Sequence, residues 1–346
     1  MNEEGKSLLE ARGLSRHFVV RAGGTIIRKK RIVRAVDDVS LDLRAGRVTA
    51  VVGESGSGKS VLARMLARIV APTSGELVLD GSPVANKQKR TLAYASKVQL
   101  VLQDPFASVN PVHRIRHSLE RPLLIHGAAK TDVESLSESV LARVSLDPPS
   151  RYLDRYPHEL SGGQLQRVSI ARALCVKPQV LLADEPISML DVSVRLGVLN
   201  LLRGLCDEER LAVLYITHDI ASARYIADEI VVMYAGQVVE QSKGTRLIDE
   251  PAHPYTRLLI ASVPDPAALT RDQVKGEHAF TGAAVSEGCR FYPRCPHAME
   301  ICRTSEPPMS EVGEGHMARC WLHSYTSEVS SGALTVRQRG GTVSKQ

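Results

Sequence analysis

Hydrophobic positions fall into short runs set apart by polar turns, and their spacing changes along the chain. Through residues 7–52 apolar and polar residues alternate in short stretches, a period of two that predicts antiparallel strands. Thr49 to Val52 form a mostly apolar run, which predicts a strand buried on both faces. From 60 to 70 the spacing turns helical. Longer helical patterns edged by Pro and His occupy about 104–175. A second buried strand is predicted at Val180–Ala183, and a hairpin at Val231–Tyr234 and Gly236–Val239 closes the core. No internal repeat is present. From Ser324 the chain is rich in Ser, Thr and Gly, so disorder is expected over 324–346.

The punctuation between these runs carries chemistry. Gly53, Glu54, Ser55, Gly56, Ser57, Gly58, Lys59 and Ser60 join the first buried strand to the first helix. Glycines let a backbone close around a polyphosphate that side chains would obstruct, and the inward N–H groups make an anion nest. Lys59 is expected on the β- and γ-phosphates, Ser60 on Mg²⁺. The helix N-terminus adds its positive end. The second buried strand runs into Asp184 and Glu185. The carboxyl end of a parallel strand is where ligands bind. Asp184 is expected to hold Mg²⁺, and Glu185 to orient the attacking water. Ser161, Gly162, Gly163 and Gln164 open another periodic stretch, with Ser161 as its N-cap.

Leu160 to Arg167, read with the loop, the two carboxylates, Asp191 and Thr217-His218-Asp219, resembles the signature set of the ATP-binding cassette family over about residues 7–260. The implied fold is an α/β phosphate-loop cassette. It has a central, mostly parallel sheet, an antiparallel β subdomain, a helical subdomain at about 104–175 and a small cysteine-containing C-terminal extension. The resemblance implies that Ser161, Gly162, Gly163 and Gln164 cap the γ-phosphate of ATP held by a second ATPase subunit. It implies that Gln103 contacts Mg²⁺ or water and the membrane partner, that His218 senses the γ-phosphate, and that Asp191 links the two sites. Phe18 is the aromatic expected to stack on adenine. It lies 35 residues before Gly53, because Arg21–Arg31 looks inserted.

Composition then narrows the class. The chain has 346 residues, 43% hydrophobic, with a net charge of +6, enough for one large domain and a smaller module. No stretch approaches the ~20 apolar residues that span a bilayer, and the polar, acidic start carries no signal-peptide pattern. The expected location is therefore peripheral, on the cytoplasmic face of the membrane, beside two separate permease subunits and an extracytoplasmic binding protein. The basic cluster Arg28–Arg31 reads as a solvated loop, and no nucleic-acid module is visible. A soluble cassette ATPase of repair or translation would carry long insertions or a second cassette. A regulatory subunit with a dead site would lack Glu185, His218 or Ser161. The expected function is the ATPase of a dipeptide or oligopeptide importer, with glutathione or a nickel chelate as alternative cargo.

Cysteine usage sets the C-terminal part apart. Cys175 and Cys206 fall on apolar helical patterns, whereas Cys289, Cys295, Cys302 and Cys320 cluster over 32 residues. The segment Gly288–Pro296, with Pro251-Ala-His253-Pro254-Tyr255, resembles the C-terminal extension of the oligopeptide/dipeptide importer ATPases. In a cytosolic chain such a cluster argues for metal over disulfides. The gaps of five, six and seventeen residues contain no zinc knuckle, so the expectation is a [4Fe–4S] cluster, with zinc or no metal as alternatives. This extension, 261–323, is expected to form a separately packed module.

Overall fold

A computed structural model describes residues 5–22, 29–85, 90–262 and 287–323. The expected tail, 324–346, lies outside the described residues. The strands are β1 (Ser7–Ala22), β2 (Lys29–Arg44), β3 (Val48–Val52), β4 (Ser74–Leu79), β5 (Ser82–Val84) and β6 (Val98–Val101). They continue with β7 (Val180–Asp184), β8 (Ala212–Thr217), β9 (Glu229–Tyr234), β10 (Gln237–Lys243), β11 (Met309–Gly313) and β12 (His316–Arg319). Among the described residues these make an antiparallel sheet in the order β2-β1-β4-β5 and a mixed sheet in the order β11-β12-β10-β9-β3-β8-β7-β6. The β9-β3-β8-β7-β6 portion is parallel.

The unbroken apolar runs are explained by burial on both faces. In β8, Ala212, Leu214 and Ile216 join one core with the antiparallel sheet and the helix Lys59–Leu66, while Val213 and Tyr215 join the other. Side chains of successive strand residues point to opposite faces, so a strand between two cores must be apolar throughout. The second core also holds Leu119, Leu141 and Val168 of the helices Ile115–Ile125, Val133–Arg143 and Gly162–Leu174, which lie between β6 and β7.

Beyond β10 the structure departs from the expected separate module. β12 pairs with β10, with Glu240 opposite Ala318 and Ser242 opposite His316, so the C-terminal hairpin extends the central sheet. The connection is sealed by a buried carboxylate. Glu240 accepts hydrogen bonds from Ala252 N at 2.8 Å and His253 N at 2.8 Å, and its Oε1 lies 2.7 Å from His316 Nε2.

The [4Fe–4S] expectation is overturned, and the zinc alternative with it. Among the described residues, no group of three or more His, Cys, Asp or Glu could hold a metal ion. Burial pushes the thiols of Cys289 and Cys295 up, and that of Cys320 up to about 11. Cys302 is buried, and Cys289 and Cys295 pack as apolar groups against the main core. The loop is ordered by backbone bonds such as Cys289 N to Cys302 O at 2.7 Å. Nearby histidines are engaged elsewhere, His316 with Glu240 and His323 Nε2 with Ala252 O at 3.1 Å.

Candidate active site

The cleft is built at the carboxyl ends of the parallel strands. The loop 53–58 leaves β3 and enters the helix Lys59–Leu66. Its glycines are required by close approach: a Cβ on Gly58, at φ +102°, would sit 2.1 Å from Ala35 O, and one on Gly53 would sit 2.2 Å from Met233 O. Lys59 is 4% exposed, and its Nζ donates to Gly53 O at 2.7 Å and Glu54 O at 2.9 Å. Burial lowers its pKa, against the pull of Glu185, Asp184 and Glu54. Ser60 Oγ donates to Asp184 Oδ1 at 2.9 Å. Asp184 is buried, which raises its pKa, with the Ser60 hydroxyl pulling the other way. A buried cation and a buried carboxylate, each charged at a desolvation cost, are both relieved by an anion with its own metal.

Three neighbouring strands deliver the remaining groups. Glu185 follows β7, Gln103 follows β6 and His218 follows β8. Gln103 Nε2 donates to Glu185 Oε2 at 3.1 Å, and His218 Nδ1 lies 3.3 Å from the same oxygen. Glu185 has a left-handed backbone, φ +47°, a conformation that costs a non-glycine residue about 1–3 kcal/mol and persists only where its surroundings impose it. Its N–H is held by Ile216 O at 3.0 Å. The donors facing Ser60 and Asp184 are a hydroxyl, carboxylates and an amide. That hard oxygen set fits Mg²⁺.

The groups converge on a cleft of about 1190 Å³ lined by the loop, Lys59, Ser60, Gln103, Glu185 and His218. Its opposite wall is the β1–β2 hairpin, through His17, Ile32, Val33, Arg34 and Ala35. Phe18 does not line it; the Arg16 guanidinium lies over its ring at 4.7 Å. Ser161, Gly162, Gly163, Gln164 and Asp191 also lie outside the lining. Ser161 is exposed at the start of Gly162–Leu174, in a capping box with Gln164: Gln164 N donates to Ser161 Oγ at 3.3 Å and Ser161 N to Gln164 Oε1 at 3.0 Å. Asp191 is exposed at the N-cap of Val192–Glu209.

Comparisons with known proteins agree on one family. A family model described as ABC transporter matches residues 36–188, and one described as oligopeptide/dipeptide transporter, C-terminal region, matches 239–302. The chain is 39% identical over 328 residues to the oligopeptide transport ATP-binding protein AppF of Bacillus subtilis (strain 168), covering 92% of this chain and 98% of that one. The chain belongs to the ABC transporter ATP-binding family. It is 40% identical over 327 residues to the dipeptide transport ATP-binding protein DppF of Haemophilus influenzae, with the same coverage of 92% and 98%. Its fold matches the ADP- and phosphate-bound dimer of the cassette MJ0796 with a TM-score of 0.60 and 28% identity, covering 68% of this chain and 98% of that one. CbiO1 of Clostridium perfringens matches with a TM-score of 0.61 and 25% identity, covering 70% and 91%. The reaction of this ABC cassette is ATP hydrolysis coupled to transport.

Three residues of the subfamily motifs, not expected as site residues, lie in or beside the cleft. Tyr255 OH accepts from Glu54 N at 2.8 Å. Arg294 donates to both carboxylate oxygens of Glu54, at 2.8 and 2.9 Å. Arg290 lines the cleft, pairs with Asp37, and donates to Ala235 O at 2.5 Å. The two arginines sit beside Cys289 and Cys295 in the segment that marked the subfamily, where attention fell on the thiols.

Proposed function

We propose that this chain is the nucleotide-binding subunit of a dipeptide or oligopeptide importer. It works as one of two ATPase subunits beneath two permease subunits, at the cytoplasmic face of the membrane. Among the described residues no helix is long and apolar enough to cross a membrane. The peptide cargo is supported by relatives named for oligopeptide and dipeptide transport and by the C-terminal region they share.

The observation that carries the catalytic reading is the shared oxygen of Glu185, held by Gln103 at 3.1 Å and facing His218 at 3.3 Å. A carboxylate fixed at the cleft mouth from two sides is preorganised to accept a proton from water and orient it. Phosphoryl transfer asks a protein mainly for such positioning and for charge stabilisation. Lys59 and the loop N–H groups hold the phosphates. Ser60 and Asp184, with Gln103, would hold Mg²⁺, which neutralises phosphate charge when bound. His17, Ile32 and Val33 wall the end away from the carboxylates and take the nucleoside, in place of the expected Phe18. Ser161–Gln164 and Asp191, outside their own cleft, serve the ATP of the second subunit.

Glu185→Gln tests this in the assembled transporter. ATP affinity should persist, while phosphate release and dipeptide uptake fall by about 10²–10⁴-fold, the usual worth of a positioned general base. Turnover near that of the wild type removes Glu185 from the role.

A further inference from the structure

The C-terminal segment does more than follow the cassette. It grips the phosphate loop by a side chain. Glu54, the second residue of that loop, is fixed from two directions. Its backbone N–H is taken by Tyr255, at the start of the helix Pro254–Ala261, at 2.8 Å. Its carboxylate is taken by both terminal nitrogens of Arg294 at 2.8 and 2.9 Å, a fork-to-fork geometry that fixes orientation as well as distance. Arg294 is itself seated on aromatic faces, 5.8 Å from the ring centres of Tyr234 and Phe291. Phe291 is 1% exposed and packs against Tyr255 at 5.5 Å, so the arginine's base is rigid. The same short turn sends Arg290 to Asp37, whose other oxygen faces His17 Nε2 at 3.1 Å. One turn between residues 289 and 295 therefore ties together the phosphate loop and the opposite wall of the ATP cleft.

We propose that Arg294 is a positioning residue of the ATP site: its paired bonds to Glu54 hold the phosphate loop ready for nucleotide, and so couple ATP binding to the docking of residues 287–323. Arg294 does not line the cleft and touches no reacting atom; it acts through Glu54. A loop whose backbone must present several N–H groups at once loses affinity when any of its anchors is loose. Coupling is reciprocal, so ATP must in turn tighten the docked segment. The inference rests on the 53–60 loop being the ATP site.

The test uses the full-length chain. Arg294→Met removes the charge while keeping an apolar stem, Arg294→Lys keeps the charge without the fork, and Glu54→Gln weakens the other partner. ATP affinity is measured with thermal stability of the nucleotide-free protein, and hydrogen exchange of amides 289–302 is followed with and without MgATP. Arg294→Met is expected to weaken ATP binding by about 5-fold or more, the usual scale of coupled sites. Hydrolysis in the assembled complex should show raised KM at nearly unchanged kcat. Arg294→Lys should recover part of the loss, because a point charge cannot reproduce the fork. Arg294→Met with Glu54→Gln should be no worse than the stronger single change. ATP should slow exchange at 289–302 in the wild type and no longer in Arg294→Met. Unchanged ATP affinity in Arg294→Met, additive losses in the double variant, or intact ATP-dependent protection each overturn the proposal. Lys59→Ala separates the levels: ATP binding that survives it overturns the site assignment itself, whereas binding lost there and unchanged in Arg294→Met overturns this inference alone.

Discussion

Replacing one oxygen of Glu240 by an NH₂ group tests whether the C-terminal hairpin is part of the cassette's fold. Glu240 is fully buried, with no solvent to compensate it. One oxygen takes Ala252 N at 2.8 Å and faces His316 Nε2 at 2.7 Å; the other takes His253 N at 2.8 Å. Both backbone groups are donors, so either orientation of a glutamine amide turns its NH₂ onto a backbone N–H. One bond to a charged acceptor is lost, worth about 1.5–3 kcal/mol, and a buried donor is left unpaired at about 1–3 kcal/mol more. The carboxylate also sits at the N-terminus of Pro254–Ala261, where a negative charge is favoured by about 0.3–1 kcal/mol. The sum is about 3–7 kcal/mol. For a chain of this size it should lower Tm by roughly 5–10 °C. Thermal unfolding by circular dichroism measures it, with Asp249→Asn as the control. Asp249 pairs with Arg224 at 3.4 Å with both side chains more than half exposed, and such pairs contribute about 0–1 kcal/mol. If Glu240→Gln shifts Tm no more than Asp249→Asn, the buried carboxylate is not what joins the hairpin to the core.

Two further outcomes are expected. Ser161→Arg should leave ATP affinity of the single chain within about 2-fold and cost about 1 kcal/mol of helix capping, while abolishing ATP-dependent dimerisation. Analytical ultracentrifugation beside an ATP titration decides it, and a collapse of single-chain affinity with dimerisation intact defeats the assignment to the partner's site. Burial lowers the His253 pKa from 6.5 to about 3, so the folded state resists protonation that the unfolded chain accepts. The contribution is complete above pH 6.5 and is lost progressively as pH falls towards 3, by about 1 kcal/mol per pH unit. Since His253 Nδ1 accepts from Tyr255 N at 3.0 Å, His253→Asn keeps a cap and should flatten the acid limb of a Tm-against-pH curve; an unchanged slope refutes the assignment.

What could be read in the sequence was what short segments dictate by themselves. Runs such as Val180–Asp184 must be buried strands whose ends carry Asp184 and Glu185, and the order glycine-rich loop, lysine, serine fixes a strand-to-helix turn. The side of the hairpin that faces the cleft was not legible. β1 changes register against β2 between Leu14 and Arg16 and again between Arg16 and His17. Such irregularities reset the alternation of faces, and the expectation that an aromatic stacks on adenine named Phe18, whereas His17 lines the cleft. The C-terminal contacts were hidden by separation. Arg290 meets Asp37 across 253 positions and Arg294 meets Glu54 across 240, and ion pairs that distant leave no periodic trace. The cysteines misled for a related reason: number and spacing announce ligands, whereas Cys289 and Cys295 pack against the main core and Cys302 and Cys320 are buried.

The distribution of charge along the cleft gives the hydrolytic reading its direction. Arg34, Arg290 and His17 gather at the hairpin end around one carboxylate, Asp37, so that end carries a net positive charge. At the other end Arg294 already matches Glu54, and Lys59 faces both Asp184 and Glu185. A bare triphosphate would be repelled there. A triphosphate carrying a divalent cation would not be, because in the proposed site Ser60, Asp184 and Gln103 would supply oxygens for the metal while Lys59 and the loop amides would supply donors for the phosphate. The two carboxylates thus favour the metal-bound nucleotide in the proposed reading, and Glu185, which unlike Asp184 makes no hydrogen bond to Ser60, is the one left for water.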